Sequence, residues 1–180
     1  VAPGSNLIGI RVLDGEGKGN SFTLAKGIYR AVQEGATVIN TSLGTYGASK
    51  VVENAVNYAA NQGVLVVAAS GNDGRGQVTY PAAYDQVIGV TAVDAAANRA
   101  PFSNYGQGVD IAAPGYQIHS LWSDSEYVYF GGTSASAPIV SSVAAKLSSE
   151  GMSATEIREV LTRYSNDTGL PGQDPEYGSG

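Results

Sequence analysis

The chain contains no cysteine among its 180 residues. Disulfides, thiolate nucleophiles and cysteine-ligated zinc are therefore excluded. The same absence permits secretion without disulfides and does not fix a compartment. Histidine occurs once, at His119, which rules out a multi-histidine metal site. Charge is sparse as well: Asp, Glu, Lys and Arg make up 14% of the chain, against roughly 25% in an average domain. With 10 Lys plus Arg and a formal net charge of −6, the composition argues against a nucleic-acid partner. No apolar run reaches the roughly 18 residues of a membrane span, so no membrane partner is expected. No signal-peptide pattern is read in these residues.

Glycine is abundant, at 24 of 180 residues. That composition suits tight turns and close backbone approaches more than a helical bundle. The length is that of one domain with a sizeable core. Apolar strand patterns alternate with helical ones, which predicts an α/β fold with a largely parallel sheet flanked by helices. Leu7 to Leu13 reads as a buried strand, and Val38 to Leu43 and Val64 to Ala69 as two more. Val87 to Val93, Val109 to Ala112 and the aromatic run Tyr127 to Phe130 complete the strands. Leu24, Ile28, Ala31 and Val32 follow helical spacing, closed by Gly35 as C′ residue. A second helix runs from an N-cap at Ser49 to a stop at Gly63. A third, rich in small residues, spans Thr133 to Leu147. Ser153 and Glu156 form a capping box for a last helix to about Tyr164. Residues 166–180 read as a loop.

Three segments carry chemistry. Gly132-Thr133-Ser134-Ala135-Ser136-Ala137-Pro138 puts a serine at the mouth of a helix, where the first-turn N–H groups favour developing negative charge. Pro138 is expected in that first turn, where N–H groups lack partners. Thr133 or Ser134 is then either the helix cap or a nucleophile. Ala69-Ser70-Gly71-Asn72-Asp73-Gly74 follows a strand at the edge where open parallel sheets bind ligands. Asn72 there could aim its amide N–H at an oxyanion, or simply form an Asx turn. Ser42-Leu43-Gly44 ends another strand; it is either an ordinary β-to-α connection or an open edge that pairs with an extended peptide.

Other motifs fail on spacing. Gly15-Glu16-Gly17-Lys18-Gly19 does not match GxGxxG and no GK[ST] follows, so it reads as a flexible loop. Gly132-x-Ser134-x-Ser136 is not GxSxG, and no histidine follows Ser134, unlike the α/β-hydrolases. His119 could be a general base only if the fold brought it to Ser134; otherwise it is a surface or structural residue.

With these segments in hand, the chain resembles the subtilisin-like serine proteases, the subtilases, over nearly its whole length. Val1-Ala2-Pro3 with Ile10-Arg11-Val12-Leu13 is similar to the strand after the family's histidine helix. The segment from Val38 to Gly44 resembles its substrate-binding strand, and Ala68-Ala69-Ser70-Gly71-Asn72 the segment with its oxyanion-hole asparagine. Tyr80-Pro81-Ala82-Ala83-Tyr84 and Ala113-Pro114-Gly115 match further landmarks. Gly132-Thr133-Ser134, with Pro138 and Val140, resembles its nucleophile motif. Ala135, Ile139 and Ser141 stand where the family most often has Met, His and Gly. Thr79 replaces a small residue beside the specificity pocket, which predicts a shallower pocket.

The resemblance implies a serine endopeptidase acting on polypeptides by acyl-enzyme chemistry. Ser134 would be its nucleophile and Asn72 its oxyanion donor, with Ser42, Leu43, Gly44, Ala69, Ser70 and Gly71 along the substrate. It implies no catalytic cofactor or catalytic metal. A structural calcium on backbone carbonyls near Ala82, Tyr84 and Val87 is compatible with it, and it implies secretion. Subtilases order their triad Asp, His, Ser. The Asp and His motifs are absent from these residues, so the chain is expected to be a partial peptidase domain, cut at both ends. Its base is then expected from a complementary N-terminal chain. The alternative is a catalytically silent fragment, or a module that binds peptides or an inhibitor.

Overall fold

A computed structural model describes residues 2–122 and 126–180. Val1, part of the resemblance above, lies outside the described residues. Helix α1 spans Ser21–Gln33, strand β1 Val38–Thr41, helix α2 Lys50–Asn61, β2 Leu65–Ala69 and β3 Val87–Val93. Strand β4 is Ile111–Pro114, followed by a hairpin of β5 (Ile118–Leu121) and β6 (Tyr127–Phe130), then α3 (Thr133–Ser149) and α4 (Ala154–Arg163). Strands β1 to β4 form one parallel sheet in that order. Its carboxyl ends, at Thr41, Ala69, Val93 and Pro114, share one edge.

Period-two alternation sends the side chains of the central strands to two cores. Val66 and Ala68 of β2 pack with Ile28 of α1 and Val52, Ala55, Val56 and Ala59 of α2. Leu65, Val67 and Ala69 face Ala137, Val140 and Ala144 of α3 and Ile157 and Leu161 of α4. Strands covered on both faces read as unbroken apolar runs, as β2 and β3 do. Every residue of both is buried.

Helix ends follow the sequence in part. Gly35 lies at φ +81°, as a C′ residue should. Ser153 and Glu156 close a reciprocal capping box on α4. Helix α1 has a second box that the apolar spacing did not disclose, in which Asn20 and Thr23 cap each other's backbone N–H groups. Ser49 is the N-cap of α2, but its side chain makes no capping bond. The Tyr84 hydroxyl instead bonds both the Ser49 N–H and its C=O, each at 2.9 Å.

Two strand expectations need correction. Residues 7–13 form no strand and are not buried: Leu7 is 95% exposed, and no ladder pairs the segment with the sheet. A strand needs a partner backbone, and a cavity of about 950 Å³ separates Leu7, Ile8, Ile10 and Val12 from β1. Strand β4 begins at Ile111, two residues after Val109, where its register with Val90 starts. Residues 166–180 are a loop, as expected, but an anchored one. Ser179 N–H donates to Asp110 C=O, and Ala112 N–H to Gly180 C=O.

Candidate active site

The site grows from the carboxyl edge of the sheet. After β4, Gly132 N–H bonds Gly115 C=O at 2.8 Å, setting the start of α3 above that edge. The N-cap is Gly132, with no side-chain capping bond, so neither Thr133 nor Ser134 is the cap. Gly132 lies at φ +144°, a region that favours glycine. Ser134 is therefore in the first turn, where its N–H lacks an intrahelical acceptor.

Pro138 falls in the second turn of α3 rather than the first. Having no N–H, it leaves the Ser134 carbonyl without its i+4 donor. The Ser42 hydroxyl supplies one, at 3.1 Å. Ser134 Oγ in turn donates to Ser42 C=O at 3.4 Å, a long bond. Asn40 Nδ2 donates to Ser42 Oγ, and Ser141 donates to Asn40 Oδ1. The nucleophile candidate is thus locked to the end of β1 by a chain of hydrogen bonds running back into α3.

Asn72 sits opposite, on the loop after β2. Its Oδ1 accepts both the Thr133 N–H (2.8 Å) and the Thr133 hydroxyl (2.9 Å). Two donors on one oxygen fix the orientation of the amide, which leaves Nδ2 as the outward donor. Among the described residues, Nδ2 donates to no protein acceptor. A Cβ built on Gly132 would lie 3.5 Å from Asn72 Nδ2 and 3.7 Å from Ser134 N. The space over that glycine is therefore bounded by two unspent donors, which can hold a negative oxygen.

The segments after β1 and β2 form the two walls of a slot. Gly44 and Gly71 both approach the side chain of Thr79, and a Cβ on either would strike it. Thr79 is buried and donates to Ala69 C=O (3.3 Å) and Ser70 C=O (3.2 Å). Ala69 and Ser70 are themselves buried, so they form the foot of one wall. Leu43 turns instead toward a cavity of about 610 Å³, shared with Leu24, Val52 and Tyr84.

Asn104 had no signal in the sequence, yet it is fully buried behind this loop. Its Oδ1 accepts the N–H groups of Asp73 and Arg75, and its own N–H donates to Gly71 C=O. His119 is not brought to Ser134. It lies in β5, with its ring 5.0 Å from that of Tyr127 and 5.3 Å from that of Tyr129. Among the described residues, no imidazole, carboxylate or amine bonds Ser134 Oγ.

Of the carbonyls near Ala82, Tyr84 and Val87, that of Tyr84 accepts the Val87 N–H and keeps a second lone pair. Nearby, Asp110 binds the Gly89 N–H (2.8 Å) and Arg158 (3.3 Å).

A serine at a helix mouth, beside free amide donors at the carboxyl edge of a parallel sheet, is an arrangement that acyl-transfer chemistry can use. The chain belongs to the subtilase family, whose family model matches residues 1–180. It is 42% identical over 178 residues to the thermophilic serine proteinase of Bacillus sp. (strain AK1), covering 99% of this chain and 44% of that protein. It is 43% identical over 160 residues to thermitase of Thermoactinomyces vulgaris, covering 89% of this chain and 57% of that one. A lanthipeptide protease superposes with a TM-score of 0.85 at 29% identity, over 95% of this chain and 66% of that one. The S41 psychrophilic protease gives 0.82 at 33% identity, over 94% and 65%. The chain spans about half the length of the curated relatives it matches.

Proposed function

We propose that this chain carries the nucleophile and oxyanion site of a serine endopeptidase, completed by a histidine and an aspartate from a segment outside residues 1–180. The observation that carries the reading is the pair of free donors, Asn72 Nδ2 and Ser134 N–H, around the Gly132 backbone. Ser134 Oγ attacks the carbonyl carbon of a peptide bond, and the carbonyl π pair moves onto oxygen, where the two donors hold it. The hydroxyl proton passes to the histidine and then to the amide nitrogen as the C–N bond breaks. Water reverses the sequence on the acyl-enzyme. The substrate lies extended between Ser42, Leu43 and Gly44 on one side and Ala69, Ser70 and Gly71 on the other, pairing as an added strand. Family membership also supports secretion as the setting for this chemistry.

The base-bearing segment would fit beside β1. Among the described residues, strand β1 has a ladder on its β2 side only. The cavity along its other side is bounded by residues 7–12, by α1 and by Pro138, Ser141, Ser142 and Ala145 of α3, and it reaches Ser42. A strand added there in parallel would deliver its carboxyl end beside Ser134.

A fluorophosphonate should label Ser134 stoichiometrically in the intact protein, and not in Ser134→Ala. Residues 1–180 alone should label slowly, since removal of triad members leaves only roughly 10³–10⁴-fold catalysis over water. Rapid labelling of residues 1–180 alone would place the base within them. An intact protein that never labels would instead be a silent binding module.

A further inference from the structure

We propose that Tyr46, Asp73 and Asn104 form a clasp that fixes the width of the slot between Gly44 and Gly71, making Tyr46 a positioning residue that restricts the substrate side chain entering it. This rests on the endopeptidase reading above. Tyr46 stands two residues beyond Gly44 on one wall, and Asp73 two residues beyond Gly71 on the other. The Tyr46 hydroxyl donates to Asp73 Oδ2. It also accepts Asn104 Nδ2 at 2.9 Å. The amide orientation of Asn104 is settled by the Asp73 and Arg75 N–H groups on its Oδ1, so the phenol faces a true donor.

Asn104 is buried, and its amide lies against Gly71, where an added Cβ would collide with it. It therefore cannot shift without moving Gly71 and, with it, Asn72. The Arg75 guanidinium lies 5.4 Å from the centre of the Tyr46 ring and adds a cation–π contact to the same joint. The other end of the slot is closed by backbone: Thr45 and Tyr80 exchange N–H···O=C bonds at 3.0 and 2.8 Å. With Thr79 as floor, the slot is tied at the base by a β-bridge and at the rim by the clasp. Neither wall can swing out to admit a large ring while both ties hold.

The rim tie is the one that can titrate. The groups that face the phenol are the Asp73 carboxylate, the Arg75 guanidinium and the Asn104 amide. Burial and the Asp73 hydrogen bond raise the Tyr46 pKa above its usual value. Ionisation above that point removes the donor to Asp73 and sets a phenolate against its carboxylate, which loosens the tie to Asp73 while Asn104 Nδ2 still donates.

The test compares paired peptide substrates, with alanine or phenylalanine before the scissile bond, on the intact protein and on Tyr46→Phe. The phenylalanine-to-alanine ratio of kcat/KM should rise about tenfold in Tyr46→Phe, the scale of one charge-assisted hydrogen bond. The rise should come through KM for the phenylalanine substrate. In the unmodified protein the ratio should climb at alkaline pH, and in Tyr46→Phe it should stay flat. Hydrogen exchange at the Asp73 and Arg75 amides, both bonded to Asn104 Oδ1, should speed up in the variant, a readout that needs no turnover. An unchanged ratio with unchanged exchange overturns the clasp. If neither protein cleaves anything, the endopeptidase reading fails, and exchange alone then decides whether the tie exists.

Discussion

Asn72 shows how much one side chain depends on its neighbour. Thr133 occupies its Oδ1 with two hydrogen bonds, and only this leaves Nδ2 facing the Ser134 N–H. In the intact protein Asn72→Ala should lower kcat by about 10²–10³, the usual cost of one oxyanion donor, with KM little changed. Steady-state kinetics check this, and a loss confined to KM would remove Asn72 from the transition state. The pairing of Pro138 with Ser42 was illegible in the sequence for a related reason. A proline can be seen to free a carbonyl, but the hydroxyl that takes it lies 92 residues away. Asn104 was illegible too, since a buried hub asparagine in a loop leaves no periodic trace. Ser134, Asn72 and Ser42 stand out as candidates in the sequence because glycines and strand ends frame each of them locally.

Among elements, the helices and the buried strands follow from apolar spacing, and β3 runs over Val87–Val93 as predicted. Residues 7–13 failed because their apolar pattern reports a strand's side chains and says nothing about whether a partner backbone is alongside. Helix α4 depends on local chemistry more than its neighbours do, with only Ile157 and Leu161 buried. Its capping box should therefore be measurable. Ser153→Ala should lower Tm by roughly 2–4 °C. Hydrogen bonds from the Ser153 side chain and backbone lower the Glu156 pKa. A carboxylate lowered on folding stabilises above its unfolded pKa and loses that effect as pH falls through its folded pKa. Glu156→Gln should thus melt below the unmodified protein at neutral pH and converge with it in acid. Thermal melts across pH check both, and a constant difference would refute the box as the cause.

At the scale of the molecule, the anchored residues 166–180 and helix α4 meet beside the sheet at one residue, Asp110. Asp110 receives Gly89 N–H, Arg158 and the contact of the tail through its own carbonyl. Burial raises its pKa, outweighing the Gly89 hydrogen bond and the Arg158 charge. The raised value means that Asp110 favours the fold most when protonated, and that this contribution is lost as pH rises through its folded pKa. Asp110→Asn removes that slope while leaving Arg158 charged throughout. The Tm of the variant minus that of the unmodified protein should therefore grow more positive from about pH 4 to about pH 7. A difference that becomes more negative over that range would mean that the Arg158 pair dominates.

The open side of β1 has a consequence for handling the molecule. Its four residues present a row of backbone donors and acceptors without a ladder on that side, beside a cavity lined by Ile8 and Ile10. Such an edge is a template for any extended chain, including another copy of this one. While that side of β1 stays uncovered, copies can pair along it, and dilution should suppress such fibrous self-association.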